Sequence, residues 1–470
     1  MSAVRRSQTA ATDDGGAKMK RGKSATGIAQ TASETLAIDG GKPVRTEPLP
    51  LEFPGVHYLG DEETEAALRV LGRRSLFRYY GIDLGREVES LESEFAQFVG
   101  VAHAVAVSSG TGALVTALSA LGVGPGQEVI IPAYLWVSVA AAVVNQGAIP
   151  VLSDIDETFC LDPAEVTKRI TSKTAGIIAV HMSGAPADIK PIQKIARDRG
   201  VFLLEDCAQC NGGSVDGQKV GAFGDMATFS FQMNKNMTCG EGGCVVTNDP
   251  KLQRRAVACH DLGYARDESG RLIFDRPDLR LWGKGYRMDE LRASIARAQL
   301  TKLPGTIEHM RRSKYRIREA LEEFPQVKLR KIIDPKGDTG CFLITTYPDA
   351  PTAERVNRAL RAEGIVTSPQ GVSDVVMATD WGLHIYYNNL SLVNKTSVDG
   401  RGFPWNLAEN AGLGGDYTKG TCPVADSLFE RSIILAIPSC LITEDEDDII
   451  HAFEKVLRAL LQGKDYGQEL

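Results

Sequence analysis

From His103 to Thr247 the chain alternates short apolar runs with stretches of 3.6-residue periodicity, and few architectures accept that alternation. Seven runs have strand character: His103–Val107, Val129–Pro132, Ile149–Leu152, Gly176–His181, Val201–Glu205, Ala227–Phe231 and Gly243–Thr247. Helix-like stretches such as Leu114–Leu121, Val139–Gln146 and Ile189–Arg199 separate several of them. Strands joined through helices build a parallel or mixed sheet covered on both faces, so the expected class is α/β. The last two runs have no long helix between them and read as a hairpin around Gly240–Gly243. One helical pattern then runs from Arg292 to Leu303 and a second from Ile307 to Phe324. They lead to a smaller α/β unit with strands near Cys341–Tyr347 and Ile433–Ile437 and helices Ala353–Glu363 and Glu444–Leu461. The acidic start of that last helix complements its dipole. A length of 470 residues exceeds one compact core. The expected division is a large domain over 36–300 and a small one over 301–470. Residues 1–35 are rich in Ser, Thr, Ala, Gly and basic side chains, have no apolar period, and read as a disordered tail. They lack the apolar centre of a secretory signal.

The chemistry concentrates around Lys235, in Ser230-Phe-Gln-Met-Asn-Lys235-Asn-Met-Thr-Cys-Gly240-Glu-Gly-Gly243. Lysine is rarely buried unless paired or used, and it forms Schiff bases with carbonyl compounds such as pyridoxal phosphate (PLP). Taken alone, it reads first as a surface lysine beside a Gly-rich hairpin. Ser109-Gly110-Thr111-Gly112 lies between an apolar run and a helix, where backbone N–H groups and a helix dipole suit a phosphate. An ordinary capped helix has the same pattern. The run Val201-Phe-Leu-Leu-Glu205-Asp206 ends in an acid at the carboxyl end of a strand, where α/β sheets bind ligands. Asp206 there suits a pyridinium nitrogen, and it equally suits a helix cap. Trp136, four residues after Pro132, offers a flat partner for a planar ring or simply core.

Composition narrows the alternatives. A formal net charge of −7 argues against a nucleic-acid footprint. No run approaches a membrane-spanning length. The nine cysteines are scattered and odd in number, which reads as reduced thiols in a cytoplasmic enzyme. Cys207-Ala-Gln-Cys210 has no second pair or histidine at zinc spacing. No GxGxxG follows the first strand, which disfavours an NAD-dependent oxidoreductase.

From about Leu36 onward the sequence resembles the DegT/StrS-type PLP-dependent aminotransferases of sugars and cyclitols. The resemblance rests on Ser-Ser-Gly-Thr-Gly-Ala-Leu at 108–114, Val-Ile-Ile-Pro-Ala-Tyr at 129–134 and His181-Met-Ser-Gly-Ala-Pro-Ala-Asp-Ile189. It continues through Glu205-Asp206-Cys-Ala-Gln209, Ser230-Phe with Lys235, Gly240-Glu-Gly-Gly243 and Gly285-Tyr-Arg287-Met-Asp-Glu290. It implies fold type I, with a mixed, mostly parallel seven-stranded sheet flanked by helices and a smaller C-terminal α/β domain. It implies Lys235 as the Schiff-base lysine, Asp206 on the pyridine nitrogen and Gln209 on the phenolic oxygen. Gly110, Thr111 and Ser230 would cradle the phosphate, and Trp136 would stack. It further implies glutamate or glutamine as amino donor, a keto-sugar or keto-cyclitol as acceptor, and a homodimer with shared sites.

Tyr134, His181, Ser183, Arg287 and the aromatic run Trp381-Gly-Leu-His384-Ile-Tyr-Tyr387-Asn388 are the candidate substrate contacts, and Phe77–Gly81 a candidate entrance loop. Two departures stand out. Gly285 replaces the usual asparagine that reaches the neighbouring subunit's phosphate, a contact left to another residue such as Lys284. The segment Thr367–Thr421 is richer in aromatics and glycine than usual. A sugar dehydratase of the same family would carry histidine in place of Lys235, and a non-catalytic binding or regulatory protein would be expected to lose Lys235 or Asp206.

Overall fold

The computed structural model describes residues 34–367 and 375–461. The tail expected over 1–35 lies outside these, apart from Glu34 and Thr35. The seven apolar runs form one sheet: β1 His103–Val107, β2 Glu128–Pro132, β3 Ile149–Ser153, β4 Thr174–Val180, β5 Phe202–Asp206, β6 Met226–Ser230 and β7 Gly243–Thr247. The spatial order is β1-β7-β6-β5-β4-β2-β3. β7 runs antiparallel to both neighbours, and the pairs from β6 across to β3 are parallel. Helices cover both faces, which is why the strands are continuously apolar. On one face Leu114 and Leu118 of the helix Gly110–Leu121 join Val139 and Val143 of Ser138–Asn145 in the largest core. On the other, Leu91 and Phe95 of Glu87–Val99 pack with Leu303 of the helix Glu290–Leu321.

Two expectations change. β6 and β7 do pair, with Ser230 opposite Gly243, but residues 231–242 form a folded loop and not a tight turn. Phe231 anchors it, donating its N–H to Gly242 O and accepting from Cys239 N–H. The loop carries Lys235. The two helical patterns after Arg292 are one helix, Glu290–Leu321, which continues through Pro304. Proline removes one backbone donor there. Burial of Leu300, Leu303, Ile307 and Met310 on both sides of it keeps the axis continuous.

Beyond this helix comes a second, antiparallel sheet: β8 Lys328–Leu329, β9 Phe342–Thr346, β10 Val375–Met377 and β11 Ser432–Ala436, in the order β8-β9-β11-β10. Its core includes Ile317, Val356 and Phe453 from three helices, and also Leu36 and Leu49 from the start of the described chain. Within the aromatic segment 367–421, residues 368–374 lie outside the described chain. The rest leaves the second sheet and crosses back to the first. Ile385, Tyr386 and Tyr417 enter the first core, and Tyr417 Oη donates to Pro150 O at 2.7 Å beside β3.

Candidate active site

The carboxyl ends of β4, β5 and β6, the loop 231–242 and the helix starting at Gly110 converge on two adjoining chambers. The inner one is about 350 Å³ and includes Ser109, Thr111, Ser138, Asp206 and Ser230 in its walls. The outer one is about 420 Å³ and includes Glu52, Cys341, Phe342 and Trp381. Trp136, Gln209, Asn234, Lys235 and His384 face both.

Lys235 lies where the two chambers meet. Burial lowers its affinity for a proton, while Asp206 and Cys341 oppose that shift. A lowered ammonium pKa makes the free amine more available as a nucleophile. Asp206 ends β5 and is buried. Desolvation raises its carboxyl pKa; the Ala208 N–H, Lys235 and His181 pull it back. Its Oδ1 accepts from Ala208 N–H at 3.0 Å. Among the described residues no hydrogen bond reaches Oδ2 of this buried acid. An ionised carboxylate in such a place calls for a cationic or N–H partner.

Opposite lies the start of the helix Gly110–Leu121. Ser109 caps it, its Oγ accepting from Gly112 N–H at 3.0 Å. The first-turn N–H groups have no intrahelical partner. Gly110 is required by crowding, because a Cβ there would stand 2.8 Å from Ser230 Cβ. Thr111 Oγ1 and Ser138 Oγ are 2.7 Å apart. Backbone donors, three hydroxyls and a dipole thus gather at one point, an arrangement suited to a phosphate dianion. Trp136 is 44% exposed, and that surface faces the chambers.

Gln209 is held at both ends. Its Oε1 accepts from Ser183 N–H at 3.0 Å, and its Nε2 is 2.9 Å from His384 Nε2. His384 Nδ1 is 3.0 Å from Trp381 O. Burial lowers the His384 pKa to about 3, so the ring is neutral, donating from Nδ1 and accepting at Nε2.

Lys235, Asp206, Gly110, Thr111, Trp136, Gln209, Ser230 and His384 are therefore brought together. Tyr134, His181, Ser183 and Arg287 do not line either chamber. Tyr134 is core, its hydroxyl 3.1 Å from Ser183 Oγ. Ser183, buried with φ 51°, turns the chain behind Gln209. His181 accepts from Ala187 N–H at Nδ1 and bonds Glu205 through Nε2 at 3.0 Å. Arg287 pairs with Asp261 and sits over Phe77. In the candidate entrance loop, Arg78 bonds both oxygens of Glu92, and residues 77–81 line neither chamber. Cys207 joins His181 and Glu205 in a group whose ligand atoms lie within 4.8 Å. Glu205 is already satisfied by the N–H groups of Gly221, Phe223 and Gly224 together with His181, so the cluster is a structural network. Trp381, from the candidate aromatic run, lines the outer chamber, whereas Ser138, Asn234, Glu52 and Phe342 are wall residues that sequence reasoning missed. Ser138 was within reach, two residues after Trp136 at a helix start. Glu52 has no local signature.

The profile of the DegT/DnrJ/EryC1/StrS aminotransferase family matches residues 63–372. The chain belongs to this family. Among characterised members, the L-glutamine:2-deoxy-scyllo-inosose aminotransferase of Streptomyces kanamyceticus is 38% identical over 349 residues, covering 70% of this chain and 79% of that one. The enzyme of the same name from Micromonospora echinospora is 32% identical over 440 residues, 90% of this chain and 97% of its own. Among solved structures, 3-amino-5-hydroxybenzoic acid synthase superposes with a TM-score of 0.72 at 28% identity, covering 88% of this chain and all of that one. Family members are fold type I aminotransferases, and this chain is a PLP-dependent aminotransferase. The residues fit that cofactor: an acid with an unbonded oxygen for a pyridinium, a cradle that a Cβ would fill, and a lysine facing the same chamber.

Proposed function

We propose that this enzyme takes the amino group of L-glutamine and delivers it to a keto-cyclitol or keto-sugar. The observation that carries the reading is Lys235 and Asp206 facing one chamber with the Gly110 helix start beside them. The names of the two L-glutamine:2-deoxy-scyllo-inosose enzymes support the substrates. PLP, when bound, supplies the electron sink that makes a proton on the donor's α-carbon labile. In this assignment Lys235 Nζ would bind the cofactor and would then take the proton from the donor's α-carbon and return one to the acceptor's carbon. Asp206 would hold the pyridine nitrogen in its protonated form. Gly110, Thr111 and Ser230 would hold the phosphate, Trp136 would cover the ring and Gln209 would donate to the phenolic oxygen. Tyr134, His181 and Ser183 support the chamber wall from behind.

The outer chamber, with Phe342 and Trp381 in its wall, is the proposed place for the acceptor ring. We further assign the large and small units to 36–300 and 301–470, with Leu36 and Leu49 at the start of the former packing into the core of the latter, and the working form to a homodimer. Exposed apolar side chains, including Ile82 at 88% and Trp282 at 92% exposure, favour a second copy covering them. The nine free thiols favour the cytoplasm.

The test is the absorption spectrum of the protein with PLP, before and after L-glutamine or L-glutamate. A visible cofactor band that converts to a shorter-wavelength form with glutamine supports the proposal. A band that neither donor changes would count against transamination. Release of water from a sugar substrate without amino transfer would favour the dehydratase.

A further inference from the structure

We propose that His384 is a positioning residue for the cofactor site, fixing the face of Trp136 and aiming one N–H of Gln209 into the inner chamber. This deepens the PLP reading above and rests on it. Three sets of contacts carry it. First, both ring nitrogens of His384 are engaged within the protein, one by Gln209 Nε2 and one by Trp381 O. The residue therefore has no nitrogen left to bind a substrate or pass a proton. Second, Gln209 cannot flip. Ser183 N–H requires the amide oxygen on its side, which leaves the NH2 group toward His384. His384 takes one N–H, and planarity of the amide directs the other away from it. Gln209 lines the inner chamber, so that N–H is the donor available to a bound ring. Third, the imidazole packs against two indoles, with ring centroids 4.9 Å from Trp136 and 5.2 Å from Trp381. It is held there by its own backbone, because Leu135 N–H donates to His384 O at 3.0 Å and Tyr386 N–H to Ala133 O at 3.2 Å.

The clamp joins the chain just after β2 to the aromatic segment that crosses back from the second sheet. A residue remote in sequence thereby sets two groups that would touch the cofactor. Burial keeps the imidazole neutral across the working pH range, so the clamp does not open by protonation.

Two variants separate the two contacts. His384→Phe keeps a flat ring beside Trp136 and removes the acceptor for Gln209. His384→Gln keeps an acceptor and removes the ring. PLP titrated into cofactor-free protein should bind about tenfold more weakly to His384→Phe, the scale of one lost hydrogen bond. His384→Gln should stay within about threefold of the unsubstituted protein. Visible circular dichroism, which reports the tilt of the bound ring, should be retained in His384→Phe and reduced in His384→Gln. Unchanged affinity and dichroism in both would overturn the proposal. A readout independent of any variant is 15N NMR of the histidines in cofactor-free protein. His384 should show a protonated Nδ1 and a bare Nε2, and a proton on Nε2 would refute the clamp. Failure of the unsubstituted protein to give any cofactor band would instead sink the functional reading, leaving the tautomer measurement to decide this one.

Discussion

At the level of single residues, burial and close approach set the chemistry. Lys235→Ala should abolish the visible cofactor band and lower transamination by about 10³-fold or more, since the nucleophile and the proton carrier are lost together. Stopped-flow spectroscopy with L-glutamine checks it. Gly110→Ala places a methyl group 2.8 Å from Ser230 Cβ, so the cradle must open. PLP affinity should fall about tenfold or more, read by equilibrium titration, with little change in the melting temperature of cofactor-free protein. His260 and His384 are both buried neutral, each with its pKa lowered by burial to about 3. The unfolded chain binds those protons near pH 6.5, so it holds more of them between about 6.5 and 3. The stability these groups contribute is complete above about pH 6.5 and is lost as pH falls toward about 3, at up to about 1.4 kcal/mol per pH unit for each. Urea unfolding across that range should show the decline, and His260→Asn should flatten it. A profile equally steep in the variant would exclude His260 as a source.

At the level of elements, the strands were the most legible part. Each apolar run predicted a strand, and the structure moved its ends by two residues or fewer. The continuity of the helix Glu290–Leu321 was not legible, because Pro304 and Gly305 look like a break when read locally. Buried residues before and after them override that preference through tertiary packing. Pro304 is exposed, so Pro304→Ala restores a backbone donor without disturbing the core. It should stabilise the protein by about 1–3 kcal/mol, measured as a shift in urea midpoint at unchanged slope. A destabilised variant would show that the helix needs its proline for a bend.

At the level of the whole molecule, the second sheet and its connections reach into the site of the first. Lys314 on the long helix and Asp338 form a fully buried ion pair, three residues before Cys341 in the outer chamber wall. Gly340 N–H and Tyr315 Oη bond the same carboxylate. Lys314→Met leaves the acid without its cation and should cost about 3–5 kcal/mol. Lys314→Met with Asp338→Leu should recover part of that loss, because no lone charge stays buried. Denaturant titrations of the two variants compare them. If the single change were neutral, the pair would not anchor this wall.

Local sequence was enough for the α/β class and its strands, and the segments it singled out around Lys235, Asp206 and Gly110 do face one chamber. Those signals are short-range: apolar period, a glycine where two backbones meet, an acid at a strand end. Tyr134, His181, Ser183 and Arg287 do not line either chamber, because one-dimensional proximity to a strand end does not say which way a side chain turns. Of the outer chamber, sequence offered only the aromatic run that carries Trp381 and His384, for a related reason. Glu52, Phe342 and Trp381 come from three distant stretches that meet only when the second sheet and the returning aromatic segment pack on the first. His384 shows the difference most clearly. Its sequence surroundings allow a solvated loop histidine; Gln209, Trp136 and Trp381, gathered around it by packing, leave its ring one tautomer and one position.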